Sequence, residues 1–486
     1  MKTDVTPTAN TDDESWFASA AKVYPASVKG RFRNIKWAIL AVTLGIYYFL
    51  PFVRWDRGPN LPDQAVLIDF ERKRAYFFFL DIWPQEVFYI TGLLVMASVA
   101  LFLMNAIAGR VWCGYLCPQT VWTDLFLRVE SWIEGERRQR IALDRAPWTG
   151  SKLAKKSLKH FIWLMIAWWT GGAWVLYFAD APTLVVDLAT GQAPLAAYIW
   201  IGILTFTTYS LAGHMREQVC TYMCPWPRIQ AALTDEYALN VTYRADRGEP
   251  RGHLKENRKR VEAGLPAGDC IDCYQCLHVC PTGVDIRNGI QLDCIQCGLC
   301  IDACDTVMTK IGKPTGLIAY DTDDNVDRRE QGKPPIYRFV RPRTIIYATI
   351  IAGISALMLY SLMNREYSGL SVVHDRNPLF VVQSDRSIRN GYSLRVMNRV
   401  PEEQTLLLSI SGMPEGSEFE VVGTPTNANG EVAVVVGPDR TRALRALVFS
   451  PEGVKMPSTS ELVFILKNPK TGEVSTIHDF FRAPAQ

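Results

Sequence analysis

The sequence has almost no excess charge of one sign and few histidines. Its 486 residues contain 52 Lys and Arg, 49 Asp and Glu, and 6 His. A net charge of +3 provides no basic surface for nucleic acid. The sequence also lacks a P-loop, a dinucleotide-binding fingerprint and a defensible set of paired acid and base groups. Nucleic-acid binding, a built-in nicotinamide or flavin domain and nucleophilic catalysis are therefore disfavoured.

The polar N-terminal stretch has no apolar signal core, yet five apolar runs follow it. Each run is near the length that crosses a hydrocarbon core of about 30 Å. Together they predict a multi-pass membrane protein. The runs are Trp37–Val53, Val87–Ile107, Phe161–Phe178, Leu195–Gly213 and Ile345–Met363.

Basic residues at the ends of the runs predict the orientation, because Lys and Arg mark the cytoplasmic side. Four of them precede the first run: Lys29, Arg31, Arg33 and Lys36. The segment 137–159 is also rich in Lys and Arg, whereas 179–194 has none. Residues 72–74 are a basic exception on the outer side. The pattern predicts a cytoplasmic N-terminus and, after five crossings, a C-terminus on the outer side of the membrane.

All 12 cysteines lie between Cys113 and Cys304, on the predicted cytoplasmic side. That compartment is reducing, so disulfides are not expected there. Thiolates kept reduced are available to bind metal.

Eight cysteines form two ferredoxin motifs, which are the strongest signal in the chain. They are Cys270, Cys273, Cys276 and Cys280, then Cys294, Cys297, Cys300 and Cys304. In two-cluster ferredoxins with this spacing the fourth cysteine ligates the other cluster. We therefore predict one [4Fe–4S] cluster on Cys270, Cys273, Cys276 and Cys304, and a second on Cys294, Cys297, Cys300 and Cys280. Asp305 replaces the second motif's proline, and a zinc module, with its four ligands in two pairs, fits this order poorly.

The other four cysteines form two Cys-x3-Cys-Pro motifs, each following a pair of apolar runs. They are Cys113 and Cys117, and Cys220 and Cys224. Members of a pair are one helical turn apart, so the four thiols are expected to converge at the cytoplasmic membrane surface. Soft sulfur selects Cu(I), Zn(II) or iron–sulfur. His214, Met215 and Met223 nearby are weaker copper candidates, and the remaining histidines show no ligand spacing.

Short strand-like runs after the fifth apolar run predict a C-terminal β-sandwich. The full prediction is a cytoplasmic segment (1–35), a four-helix membrane region (36–225), an inserted bacterial two-cluster ferredoxin-like domain with its linker on the cytoplasmic side (226–342), a fifth transmembrane helix (343–363) and a domain on the outer side (364–486). The fold class is thus α-helical membrane protein with ferredoxin and β-sandwich domains.

This order of motifs resembles the FixG/CcoG (RdxA) family of accessory proteins of cbb-type cytochrome c oxidase. The resemblance covers nearly the whole chain. It implies a location in the bacterial inner membrane and a periplasmic, immunoglobulin-like C-terminal domain. It further implies a cupric reductase that supplies Cu(I) to the oxidase, with the four Cys-x3-Cys-Pro cysteines as copper-handling, catalytic thiols. Implied partners are copper, a cytoplasmic electron donor, and oxidase subunits or copper chaperones.

Two other functions stay open at this point. One is a quinol-oxidising electron conduit similar to the NapH-type membrane ferredoxins. The other is a non-catalytic scaffold whose clusters sense redox state. The sequence alone does not decide whether the paired motifs bind copper or a further cluster.

Overall fold

The computed structural model describes residues 22–58, 61–400, 402–427, 430–438 and 440–484. The chain divides into two compact units. The first contains the residues up to Val53 together with Ala65–Ser355, and the second contains Arg54–Gln64 and Ala356–Gln486.

The first part of the larger unit is mostly helical. Its helices are α1 (Arg31–Phe49), α2 (Phe88–Ala108), α3 (Val111–Tyr115), α4 (Pro118–Glu134), α5 (Arg137–Arg145), α6 (Gly150–Val175), α7 (Ala181–Thr190) and α8 (Leu195–Thr208). A small antiparallel sheet β1 (Val66–Asp69), β2 (Arg74–Phe77) and β3 (Leu80–Ile82) follows α1. Two π-helical segments, Tyr209–Met215 and Val219–Met223, continue from α8.

Four helices of the described chain are long and apolar enough to cross a membrane. They are Arg31–Phe52, Phe88–Ala108, Leu195–Met215 and Pro342–Met363. Between 0% and 22% of each apolar window is buried, so these helices present apolar side chains outward, as membrane helices do.

The remaining predicted run, Phe161–Phe178, lies mostly in α6. That helix begins with a lysine-rich turn and ends at Val175, before the run does, and it does not meet the same criterion. It packs closely on α8, where a Cβ at Gly171 would lie 2.9 Å from the Ile201 carbonyl oxygen. A fifth membrane span therefore stays a prediction.

The ferredoxin region forms the rest of this unit. Its elements are α9 (Trp226–Leu233), β4 (Asn240–Tyr243), α10 (Ala245–Gly248), α11 (Leu254–Glu262), α12 (Gln275–His278), α13 (Leu299–Lys310), β5 (Ile318–Asp321) and α14 (Asp323–Glu330). Strands β4 and β5 pair antiparallel. Buried Val241, Ile286, Met308 and Ile318 pack around the cysteine loops.

The N-terminal segment 22–30 lies on the ferredoxin region. The Ala26 N–H donates to the His278 carbonyl at 2.7 Å. The Phe32 ring contacts Tyr320, with centroids 5.3 Å apart. Asp302 in α13 accepts hydrogen bonds from the N–H groups of Phe32 (3.2 Å) and Arg33 (2.8 Å), and so caps the start of α1. Of the predicted N-terminal segment 1–35, residues 22–35 thus pack within the same compact unit as the ferredoxin region, and residues 1–21 lie outside the described chain.

Helix α15 (Pro342–Met363) leads into the second unit, a β-sandwich. Its strands are β6 (Ser368–His374), β7 (Val381–Val382), β8 (Ile388–Asn398), β9 (Gln404–Ser411), β10 (Glu418–Val421), β11 (Val432–Val436), β12 (Arg440–Phe449), β13 (Thr459–Lys467) and β14 (Val474–Arg482). One sheet has the order β10-β12-β8-β6 with β7 on β8, and the other β11-β9-β13-β14. Leu394 and Val448 from one sheet pack with Leu406 and Phe464 from the other, all fully buried. The predicted sandwich is confirmed.

Candidate metal centres

The two ferredoxin motifs fold into loops with the same backbone shape. In each loop the residues two and four places after the first cysteine are left-handed: Asp272 and Tyr274 in one, Gln296 and Gly298 in the other. Three of these four residues are not glycine, and each left-handed residue of that kind costs on the order of 1–3 kcal/mol. Such backbone strain persists where the surrounding structure requires the conformation, as at a ligand site. Here both loops place their cysteines along a cavity.

The loops and the helices that follow them enclose two small cavities. Cavity A is lined by Cys270, Cys273, Cys276 and Cys304. Cavity B is lined by Cys280, Cys294, Cys297 and Cys300. Cys276 lines both cavities. The structure therefore groups the eight cysteines in the crossed arrangement expected from their spacing.

These thiols are suited to a cationic iron core. Burial raises the pKa of the Cys294 and Cys304 thiols to about 12 and that of Cys276 to about 11. A thiol in such surroundings loses its proton only when a strongly positive ion, such as iron, binds the sulfur in place of the proton. Backbone N–H groups of Val284 and Gln296 point to the sulfur atoms of Cys280 (3.3 Å) and Cys294 (3.4 Å). The donor set and its hydrogen bonds fit [4Fe–4S] clusters in both cavities.

A buried cation distinguishes cavity A from cavity B. Arg287 lines cavity A, stacks on Tyr274 at 4.1 Å and is held by Asp285 at 2.6 Å and by Asp272. The described residues that line cavity B include no Arg or Lys.

The four remaining cysteines form what we call the four-thiol site: Cys113, Cys117, Cys220 and Cys224. Burial raises the pKa of Cys113 to about 12, and the neighbouring Cys117, Cys220 and Cys224 thiols add to the rise. Burial and the Cys117 and Cys224 thiols likewise raise the pKa of Cys220 to about 12. The four thiols are therefore close enough to influence the pKa of Cys113 and Cys220, and their convergence on one metal stays a prediction.

The local structure of the two motifs differs from the expected single helical turn. Cys113 lies in α3, but Cys117 is extended (ψ 126°) at the start of α4. Cys220 lies in a π-helical segment, and Cys224 after it is extended (ψ 121°). The two cysteines of a pair therefore do not share one α-helical turn. The proline after each pair, Pro118 or Pro225, disfavours the helical conformation in the cysteine before it, as its position in the motif indicates.

Helix α3 lies directly against the loop of cavity B. A Cβ at Gly114 would be 2.8 Å from the Ile295 carbonyl oxygen and 3.1 Å from the Cys297 Cα, so only glycine allows this approach. The Tyr115 hydroxyl donates to the Cys297 carbonyl at 2.9 Å. Residues on either side of the contact are Cys113 of the four-thiol site and Cys297 of cavity B.

Arg110 ties the same corner together. It is buried, its backbone N–H donates to Gln296 Oε1 at 2.7 Å, and its guanidinium donates to the carbonyls of Pro227 (2.9 Å) and Cys294 (3.4 Å). Its positive charge faces the thiols of both Cys113 and Cys294. Sequence reasoning missed Arg110 and the role of Gly114. The one available signal was that the second motif has Thr221 where the first has Gly114.

Among the described residues, no three His, Cys, Asp or Glu side chains lie close enough to bind one shared metal ion. This spacing is compatible with cluster binding, because each thiolate binds a different iron atom of the cube and the four sulfur atoms do not share one ion. At the four-thiol site the spacing limits a single copper ion to fewer than three of the thiols in this arrangement.

The weaker copper candidates are not gathered around the thiols. His214 stacks on His160, with centroids 5.6 Å apart, and lines a different cavity. Met223 is 55% exposed. Met215 ends the first π-helical segment, and none of the three lines the small cavity beside Cys220.

Comparisons with known proteins agree with this architecture. A 4Fe–4S dicluster domain profile matches residues 215–323, a 4Fe–4S binding domain profile matches 89–138, and the IG-like fold at the C-terminus of FixG matches 358–484. The second match covers Cys113 and Cys117.

Three curated relatives match along most of their length. The nitrogen fixation protein FixG of Rhizobium meliloti is 47% identical over 95% of this chain and 93% of its own. RdxB of Cereibacter sphaeroides is 50% identical over 86% of this chain and 89% of its own, and RdxA of the same organism is 51% identical over 86% and 90%. A solved FixG-related protein from Vibrio parahaemolyticus aligns with 24% of this chain and 97% of its own, at 19% identity and a TM-score of 0.20. On the strength of the curated relatives, this chain belongs to the FixG/RdxA family of iron–sulfur electron-transfer proteins.

Proposed function

We propose that this protein is a membrane-bound cupric reductase that supplies Cu(I) for the copper centre of a cbb-type cytochrome c oxidase. The observation that supports it is the contact of α3 with the loop of cavity B. Gly114 allows the segment that contains Cys113 to touch the loop that contains Cys297. An electron therefore has a short path through protein from a cluster in cavity B to the four-thiol site.

The chemistry of the four-thiol site favours the reduced ion. Thiolates are soft ligands and stabilise Cu(I) relative to Cu(II). Clusters bound in cavities A and B would supply electrons one at a time, which matches the single electron that Cu(II) accepts. Gln230 accepts a hydrogen bond from the Cys113 thiol at 3.2 Å and fixes its direction.

The topology is part of the proposal. With a cytoplasmic N-terminus and a periplasmic C-terminus, all 12 cysteines are cytoplasmic or at that membrane surface. The β-sandwich then meets oxidase subunits or copper chaperones in the periplasm. A reporter fused after Gln486 should be active in the periplasm, and activity only in the cytoplasm would contradict the five-span arrangement.

The deciding experiment is anaerobic purification followed by iron analysis and a Cu(II) reduction assay. The protein, reduced with dithionite and freed of excess reductant, should convert Cu(II) to Cu(I), measured as the coloured complex of a Cu(I)-specific chelator. Oxidation of the clusters should accompany it. Reduction of the clusters by quinol with no dependence on copper would favour the NapH-type conduit, and clusters that turn over with no acceptor would favour the scaffold.

A further inference from the structure

A second, larger cavity lies beside the four-thiol site. It has a volume of about 390 Å³, and we call it the histidine cavity. Its lining residues are Lys22, Lys156, Lys159, His160, Trp163, Gly213, His214, Arg216, Glu217 and Gln218. Its size suits a small organic molecule.

The wall of the histidine cavity combines rings with hydrogen-bonding nitrogens. His160 stacks nearly parallel to His214, with an interplanar angle of 12°. The Tyr209 hydroxyl and His160 Nδ1 are 2.9 Å apart, which fixes the imidazole plane. Trp163 lies edge-on to both imidazoles. This set can hold a flat ring and accept protons or hydrogen bonds from hydroxyl groups on it.

The charges around the histidine cavity cancel. Lys22 and Lys156 bind Asp144 at 2.6 and 2.5 Å, and Lys159 binds Glu134 at 2.9 Å. Arg216 is paired with the buried Glu130, and Glu217 adds a further carboxyl to the wall. With its cations paired with neighbouring carboxylates, the cavity selects neither an anionic headgroup nor a bare metal cation. A neutral ligand fits best.

The histidine cavity lies where the apolar surface of the helices begins. Phe161, next to His160, is 61% exposed, and Phe206, three residues before Tyr209, is 71% exposed. His214 is near the end of the candidate membrane span Leu195–Met215. A ligand dissolved in the membrane therefore reaches the cavity along an apolar surface.

The histidine cavity is separated from the four-thiol site by one pair of residues. Arg216 and Glu217 line it and also line the small cavity that contains Cys220. Arg216 is left-handed (φ 44°) and joins the two π-helical segments. Strained residues and π-helical turns are frequent at functional sites.

We propose that the histidine cavity binds a lipid-soluble hydroquinone, which donates electrons to the clusters and, through them, to the four-thiol site. The proposal rests on the proposed function and replaces the cytoplasmic donor expected from the sequence. One hydroquinone loses two electrons and two protons and becomes a quinone. Two Cu(II) ions take one electron each and become Cu(I), and the protons pass through the imidazole nitrogens to water at the exposed His214.

The first test compares two reductants on the full-length, cluster-loaded protein in detergent under anaerobic conditions. Decylubiquinol or dithionite is added with Cu(II), and Cu(I) is followed with a chelator. In His160→Ala the ratio of the quinol-driven to the dithionite-driven rate should fall roughly tenfold, the value of one strong lost interaction. Tyr209→Phe, which only removes the hydroxyl that orients His160, should lower the ratio by roughly two- to fivefold. His253→Ala, an exposed imidazole elsewhere in the same unit, is the matched control and should not change it.

The second test does not depend on activity. A photoreactive azidoquinone should label peptides that contain residues 156–163 or 209–218, and decylubiquinol should suppress the labelling. Labelling elsewhere, or an unchanged ratio in both His160→Ala and Tyr209→Phe, would overturn the quinol site. If dithionite still drives copper reduction in that case, the proposed cupric reductase function is unaffected. If dithionite drives no copper reduction, the proposed function fails. Quinol-dependent bleaching of the cluster absorbance in His253→Ala but not in His160→Ala would then still support the quinol site.

Discussion

The two Cys-x3-Cys-Pro motifs are nearly identical in sequence but lie in different surroundings. Tyr115 in the first motif is 7% exposed and bonds the loop of cavity B, whereas Tyr222 at the same position of the second is 66% exposed. Gly114 contacts that loop, and its counterpart is Thr221. A repeat that reads as symmetric has therefore become two parts: one joins the thiols to the ferredoxin region, and the other lies beside the histidine cavity.

The largest test of this comparison is to remove one thiol from each motif. Cys113→Ser and Cys220→Ser replace a soft thiolate by a hydroxyl, so each should lower Cu(II) reduction by roughly a hundredfold or more. Iron content should stay at about eight atoms per chain, since neither residue lines cavity A or B. Metal analysis and the chelator assay measure both. An equal loss of iron would show that the four thiols bind a further cluster.

The next test asks which cavity the first motif serves. Cys304→Ser should remove the cluster of cavity A, and Cys280→Ser that of cavity B, so each variant should lose roughly half of the iron. Electron paramagnetic resonance of the reduced proteins distinguishes the two remaining signals. Because α3 contacts the loop of cavity B, Cys280→Ser should lose more copper reduction than Cys304→Ser. Damage to cavity B from Cys304→Ser would show that the crossed assignment is wrong.

A smaller change at the contact itself compares the two motifs directly. Gly114→Ala places a methyl group against backbone atoms that cannot move aside cheaply, at a cost of about 1–3 kcal/mol. Copper reduction should fall by roughly tenfold as α3 is displaced, with iron retained and the resonance of the cavity B cluster altered. Thr221→Ala is the matched control at the same motif position. Equal effects of the two substitutions would make the motifs equivalent after all.

The smallest expected effect concerns the tyrosines. Tyr115→Phe removes one buried hydrogen bond worth about 1 kcal/mol and should lower the temperature at which the cluster absorbance is lost by a few degrees. Tyr222→Phe should leave that temperature unchanged because its ring is exposed. A drop in Tyr222→Phe of the same size would indicate a contact that this structure does not contain.

The features that the sequence predicts well are those that depend on local spacing. The cysteine steps specify two equivalent loops, and the apolar runs specify four candidate membrane helices. The strand-like runs 392–396, 406–410 and 432–436 of the C-terminal domain fall within strands, and the run 380–382 overlaps the two-residue strand β7. Helix α6 is less predictable, because Lys159 and an early end at Val175 shorten its apolar part.

The contacts that position the sites depend on residues far apart in the chain. Gly114 meets Ile295 and Cys297, and Arg110 bonds Gln296, across 181 to 186 residues. His160 shows no ligand spacing and the sequence places His214 with the paired cysteines, yet the fold stacks their two rings together. Nothing local in the sequence marks such pairs, so the histidine cavity and the corner at Arg110 emerge only from the folded chain.

The cap that Asp302 places on α1 has a consequence for biosynthesis. Phe32 leaves the ribosome 270 residues before its hydrogen-bond partner exists. During that interval the start of α1 lacks this cap, and the segment 22–30 has no ferredoxin surface to cover. The loops with Cys270 to Cys304 therefore emerge with this side open to the cell's iron–sulfur donors. Once Gly298 packs under Phe32, the first-made part of the chain closes over the last-made cysteines.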